Sequence, residues 1–121
     1  MASNLKEVAR DLCDMVKALD LMDGQAGDKS RQRSIKAKAL IKAAYVAKFQ
    51  ERYTGVAFTV KKAQDGQMMA QLMSINSGSE VARYATIKEG GWHACSCPDH
   101  KKGFMCKHLR ALAGAAALWV E

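Results

Sequence analysis

The sequence predicts an α+β fold: two N-terminal helices, a small antiparallel sheet of about four strands, and a C-terminal helix clamped at its start. Three observations carry this expectation. Apolar residues recur at helical spacing over Leu5–Leu19 and again over Ile35–Tyr53, the period switches to two at Val56, and three cysteines and a histidine precede a last helix-forming run. The chain divides accordingly into a helical region, 1–54, with a basic second helix, and a region of strands, metal-binding motif and last helix, 55–121.

Asn4 caps the first helix, with Glu7 three residues on as the other half of a capping box. Leu5, Val8, Leu12, Met15, Val16 and Leu19 then form its apolar face, and Cys13 beside that arc reads as a core thiol. Gly24 and Gly27 mark the helix end and a short loop. Asp28 or Ser30 caps a longer second helix that ends near Tyr53. It carries two stripes, Ile35-Ala39-Val46-Phe49-Tyr53 and Lys38-Ile41-Tyr45-Lys48-Arg52, of which the first is expected to face the core and the second solvent.

Val56, Phe58 and Val60 alternate with Ala57, Thr59 and Lys61, a strand pattern, and Asp65-Gly66 is a hairpin signal. Gln67–Ile75 reads as the second strand, with Met68, Met69 and Met73 as core filler. A turn over Asn76–Ser79 leads to a third strand, Val81–Lys88, and Gly90-Gly91 turns the chain into a fourth around Trp92–Cys95. Leu109, Leu112, Ala113, Ala116 and Trp119 mark the last helix. Ala111–Val120 is apolar on nearly every side, which predicts a helix either buried between the sheet and the first helix or used for self-association through Leu118, Trp119 and Val120.

Composition narrows the function classes. The 121 residues are 49% hydrophobic and 26% charged, a globular balance, and a single proline rules out a Pro-rich or collagen-like chain. The longest apolar run falls well short of the ~20 residues that span a bilayer, and Met1–Arg10 lacks the apolar core of a secretory signal. The expected setting is the reducing cytoplasm, or the nucleoid or nucleus if the protein sits on DNA. Clustered cysteines there are metal ligands or catalytic groups rather than disulfides.

The formal net charge of +7 is localised. Residues 1–28 hold three basic and six acidic groups, residues 29–52 hold eight basic groups and only Glu51, and residues 53–121 hold eight basic and five acidic groups. A helix with so few opposite charges has few i,i+4 partners and repels itself, which points to an anionic partner. Lys36, Lys38, Lys42, Lys48 and Arg52 are the candidate phosphate contacts, with Tyr45 placed to stack on a base or sugar.

The chemistry lies in Cys95-Ser96-Cys97, eight residues, then Cys106-Lys107-His108. Cys95 and Cys97 fall on the same side of an extended segment, so both sulfurs reach one ion, and the loop between is long enough to bring back Cys106 and His108. Three thiolates and one imidazole make a tetrahedral zinc set, with one structural Zn²⁺ expected because a catalytic zinc keeps a position open. The helix N-terminus beside Cys106 favours thiolate, and Lys101, Lys102, Lys107 and Arg110 offset the negative charge of the filled site. His93 and His100 flank the site and are read as exposed residues or neighbours of the ligands, with either one the alternative ligand to His108. Asp99 is read as a loop-stabilising group rather than a hydrogen-bond acceptor for the ligand imidazole.

This pattern resembles the SWIM-type zinc finger, whose signature is Cys-x-Cys, a variable gap, then Cys-x-His. Trp92 just before the first cysteine, the words Cys95-Ser96-Cys97-Pro98-Asp99 and Cys106-Lys107-His108-Leu109, and the small-residue helix that follows are similar to that family over about Val81–Leu112. The upstream hairpin and Lys/Ala-rich helix are weakly similar to small prokaryotic and viral members. The resemblance implies a strand-rich zinc module closed by a helix. Such modules occur in chromatin-remodelling-type ATPases, Mutator-type transposases and recombination-mediator adaptors, and are regarded as binding DNA or protein. No attached ATPase or transposase is expected within these 121 residues.

The expected function is therefore a zinc-stabilised nucleic-acid-binding protein, with DNA expected ahead of RNA, and with Lys101, Lys102 and Lys107 of the finger joining the basic helix. The alternative is an adaptor or regulator that meets a protein partner, or a second copy of itself, through the apolar last helix. No enzyme is expected, since the sequence shows no carboxylate pair, nucleophile–base pair or glycine-rich phosphate loop. No membrane contact is expected either.

Overall fold

The computed structural model describes residues 4–50, 56–74 and 82–119, with side chains outside 43–50 and 119. The elements run α1 (Leu5–Asp20), α2 (Gly24–Gln50), β1 (Val56–Lys62), β2 (Met68–Ser74), β3 (Arg83–Lys88), a 3-10 turn (Glu89–Gly91), β4 (His93–Cys95), α3 (Pro98–Lys101) and α4 (Lys107–Trp119). This is the expected α+β order, with the short α3 added. The helix end near Tyr53 and the turn over Asn76–Ser79 lie outside the described residues.

α1 begins as its sequence dictates. The Glu7 N–H donates to Asn4 Oδ1 at 2.9 Å, while the Asn4 side-chain amide donates to Glu7 Oε1 at 3.0 Å. The return arm of the capping box thus starts from the Asn4 side chain rather than its backbone N–H. Leu5, Val8, Ala9 and Leu12 are buried, but Met15 is half exposed.

α2 departs from the sequence reading in two ways. It starts at Gly24 rather than Asp28 or Ser30, and Gly27 lies inside it. A methyl group at Gly27 would stand 1.7 Å from the Met22 carbonyl oxygen, so a glycine is what lets α2 turn this close to the chain leaving α1. Gly27→Ala is expected to cost about 1–3 kcal/mol by overpacking, read as a lower thermal midpoint. A variant as stable as the parent would remove this constraint from the account.

The second departure is the buried face. Ile35 is 68% exposed and Ala39 is exposed, so the described part of that stripe does not enter the core; the side chains of Val46 and Phe49, and Tyr53, lie outside the described residues. The inward face is Gly27, Ser30, Ser34, Ala37 and Ile41 instead. Ile41, assigned by periodicity to the basic stripe, packs against α4, where a methyl group at Gly114 would come within 2.6 Å of its Cδ1. Small residues allow this close approach of two helices. Periodicity missed the face because most of its members are not large and apolar.

The four strands pair in sequence order, all antiparallel. The register sets Ala70 opposite Ile87, Leu72 opposite Ala85, and Ala85 opposite Cys95. These residues share one face with Val56 and Ser74, and all are buried. The Asp65-Gly66 hairpin forms as expected, with Gly66 at φ 82° and the Ala63 N–H donating to the Gln67 carbonyl at 2.8 Å. Gly90 and Gly91, at φ 87° and 104°, make the sharp turn into β4. Met69 is buried and Met68 and Met73 are partly buried, in line with their reading as filler.

α4 is the hub. It touches α1, α2, β2, β3 and β4, and from His108 to Ala116 only Gly114 is not fully buried. A helix apolar all round is here covered all round, which settles the choice left open by its sequence for that stretch. Leu118, at the far end, is 71% exposed. No helix among the described residues is long and apolar enough to cross a membrane.

Candidate metal centre

Each predicted ligand is placed by a local element. Cys95 ends β4 on the buried face of the sheet, opposite Ala85. Cys97 is the N-cap of α3, and its Sγ accepts from the His100 N–H at 3.4 Å. Pro98 at the first helical position loses no hydrogen bond there. Gly103, at φ 92°, turns the loop back, with its N–H donating to the His100 carbonyl at 2.9 Å. Cys106 precedes α4, and its Sγ accepts from the Leu109 N–H at 3.4 Å. His108 follows in the first turn of α4.

The four side chains converge. One ligand atom from each of Cys95, Cys97, Cys106 and His108 lies within 4.8 Å of every other, and all four residues are buried. Their chemistry without a metal is poor. Both ring nitrogens of His108 are buried with no hydrogen-bond partner. An orphan buried polar group costs about 1–3 kcal/mol, so a pair of them on one ring fits an imidazole placed to bind a metal.

The thiols repeat the message. Hydrogen bonding to Cys95, together with burial, pushes the Cys106 thiol up to about 12. The same contact lowers Cys95, and burial raises Cys97. Three buried thiols cannot all ionise unless a cation compensates them. A soft, tetrahedral ion satisfies the thiolates and the imidazole together, so the residues present fit a bound metal.

Two arginines hold the metal loop in place, and sequence reasoning found neither role. Arg33 of α2 donates from Nε to Asp99 Oδ2 at 2.6 Å and from Nη2 to Asp99 Oδ1 at 3.0 Å, and its guanidinium lies 4.5 Å from the Phe104 ring centroid. The Arg33 guanidinium holds the Asp99 carboxyl below the usual carboxylate range. Asp99 is thus the anchor of a fork-to-fork bridge between α2 and the loop, more than the local stabiliser its position implied.

Arg110 of α4 is buried. Its Nε donates to the Met105 carbonyl at 2.7 Å, and its Nη1 reaches Asp20 at 3.0 Å, Ser34 Oγ at 2.9 Å and Ser30 Oγ at 3.0 Å. It therefore faces the interior as an internal tie rather than a surface group, and from there its charge still acts on the Cys106 thiol. With partners 66 and 90 residues away, no local pattern announces either arginine.

The remaining expected contacts separate. Lys36, Lys38 and Lys42 are exposed on α2, and Lys101 and Lys102 on the metal loop; Lys107 is half-buried. The side chains of Tyr45 and Lys48, and the whole of Arg52, lie outside the described residues. His93 and His100 stand beside each other, ring centroids 6.5 Å apart; neither is one of the four clustered residues, though the His100 N–H donates to Cys97 Sγ. Compared with known proteins, the chain matches no family model, no curated protein and no solved structure.

Proposed function

We propose that the protein is a non-catalytic nucleic-acid-binding module, DNA before RNA, built on a structural SWIM-type zinc finger. The observation that carries the reading is the buried Cys95–Cys97–Cys106–His108 cluster, whose ligand atoms lie within 4.8 Å of one another beside a run of exposed lysines on α2 and the finger loop. Zinc is the ion that a three-thiolate, one-imidazole set selects, and four protein ligands leave no position for a reacting water. The SWIM assignment rests on the local words around those ligands. Nucleic acid is supported by charge: within 24–42 of α2, Arg31 pairs with Asp28 and Arg33 with Asp99, which leaves Lys29, Lys36, Lys38 and Lys42 without ion-pair partners among the described residues. Phosphates are the abundant polyanion such a surface attracts.

The test is an electrophoretic titration against single- and double-stranded DNA and RNA at two salt concentrations. If about four phosphates are neutralised, affinity is expected to fall on the order of a hundredfold between 50 and 200 mM salt. Binding that ignores salt, or no binding to any of the four, overturns the reading. The adaptor alternative keeps one specific observation, the exposed Leu118 at the end of α4. A nuclease-resistant partner lost on Leu118→Asp would favour it.

A further inference from the structure

The sequence shows two basic clusters far apart, one on the second helix and one around the metal ligands. The fold brings members of both to a single concave place. A cleft of about 480 Å³ opens between α2 and the metal loop, lined by Lys29, Arg33, Lys36, Arg83, Lys102 and Lys107. The metal ligands Cys97, Cys106 and His108 line it as well. Its one carboxylate, Asp99, is bound in both oxygens by Arg33. Arg83 is steadied by donating to the Ser96 carbonyl at 3.3 Å. None of the four lysines has an ion-pair partner among the described residues.

The arrangement on α2 sharpens the point. At about 100° per residue, Lys29, Arg33 and Lys36 fall within about 60° of one another on one flank of the buried stripe. Lys38 and Lys42 fall on the opposite flank, and neither lines the cleft. The helix therefore does not present one basic face. It presents two, and only one meets further cations across a gap.

Arg33 is paired with Asp99. The other five cations around the cleft outnumber the single net negative charge of a zinc-filled three-thiolate, one-imidazole centre, which leaves an excess of positive charge that attracts a further anion. The set also has the chemistry that recognises an oxyanion. It combines a planar guanidinium with mobile ammonium groups from three separate elements, and it is approached from outside rather than sealed. We propose that this cleft is an oxyanion seat that takes a phosphate group, and that it is the primary phosphate contact of the nucleic-acid partner. The second half rests on the function proposed above; the first does not. Of the lysines named from sequence, it selects Lys36, Lys102 and Lys107, adds Lys29, and leaves out Lys38, Lys42 and Lys101, while the side chain of Lys48 lies outside the described residues.

The experiment compares two charge-matched double variants of the metal-loaded protein: Lys29→Glu with Lys36→Glu in the cleft, and Lys38→Glu with Lys42→Glu on the other flank. Lys102→Glu, from the opposite wall, guards against a fault peculiar to α2. Metal content and circular dichroism establish that each is folded. The probes are inorganic pyrophosphate, followed by amide NMR shifts, and a single-stranded oligonucleotide with and without a 5′-phosphate. The cleft pair and Lys102→Glu are expected to weaken pyrophosphate binding at least about tenfold, and the other pair less than about threefold, since the two pairs change long-range attraction equally. Oligonucleotide affinity is expected to follow the same order. A gain from the 5′-phosphate identifies a chain end as the source, and equal affinity identifies a backbone phosphodiester. Pyrophosphate binding of this pattern without oligonucleotide binding keeps the seat and removes the nucleic-acid reading. Equal losses in the two pairs, or oligonucleotide binding that depends on Lys38 and Lys42 while pyrophosphate leaves the cleft amides unmoved, overturns the seat and leaves that reading standing.

Discussion

Cys106→Ser or His108→Ala is expected to abolish metal retention and, with it, cooperative folding of everything packed on α4. Structural zinc sites contribute on the order of 10–16 kcal/mol of apparent binding energy, against a total stability of about 5–15 kcal/mol for a typical domain. Losing one ligand forfeits most of that. The damage cannot stay local, because two of the four candidate ligands also start the hub helix: Cys106 accepts from the Leu109 N–H, and Leu109 and Leu112 are core. The measurements are metal stoichiometry by mass spectrometry and hydrogen exchange along α4 with the β-strand partners it covers. Cys13→Ser is the control, since Cys13 is a half-buried thiol outside the cluster; it is expected to keep full metal content. A chelator should reproduce the His108→Ala exchange pattern in the parent protein. Cooperative unfolding in a metal-free Cys106→Ser protein would falsify the structural role.

The same site explains how much of this protein its sequence discloses. The ligand set was legible because it is local: two pairs of residues, each two apart, placed by a strand end and two helix starts. The strands were legible because Val56 changes the period and Asp65-Gly66 and Gly90-Gly91 punctuate it. The capping box of α1 was legible for the same reason. The inward face of α2 was not, because hydrophobic periodicity detects faces buried for their area. Gly27, Ser30, Ser34 and Ala37 are buried for closeness and hydrogen bonding, while Ile35, the apolar residue that drew attention, stands in solvent. Charge counting had a parallel blind spot. It summed Arg33 and Arg110 into a basic surface, but the fold turns the first toward Asp99 and the second toward Asp20. What a cation does depends on where its partner lies, and both partners lie more than sixty residues off.

Asp20→Ala is expected to be the most damaging substitution outside the metal site, at about 3–5 kcal/mol, and more damaging than Arg110→Met. An acidic residue in the last turn of a helix opposes the dipole, so its presence at the end of α1 needs another cause. The cause is that Asp20 receives the Ser30 and Ser34 hydroxyls and the Arg110 guanidinium, tying α1, α2 and α4 at one point. Removing the carboxylate leaves a guanidinium whose side chain is only 4% exposed without a counter-charge, though it keeps the Met105 carbonyl and the serine oxygens. Removing the guanidinium leaves a carboxylate that is 25% exposed and still holds two hydroxyls. The asymmetry follows from which charge keeps access to water, and chemical denaturation of the two variants and the double variant measures it directly. A pH dependence follows too. Burial raises the Asp20 carboxyl, but the serine hydroxyls and Arg110 outweigh it and hold it below its ordinary value. A depressed carboxyl stabilises the folded state above the unfolded pKa near ~4, and that contribution is lost as pH falls through the folded value. The stability gap between the parent and Asp20→Asn is therefore expected to be constant from pH 7 to about 5 and to close in acid. Proton competition for the thiolates weakens the metal centre in both proteins alike, so the difference isolates the carboxylate. A gap that widens as pH drops would show that Asp20 does not carry its charge in the folded protein.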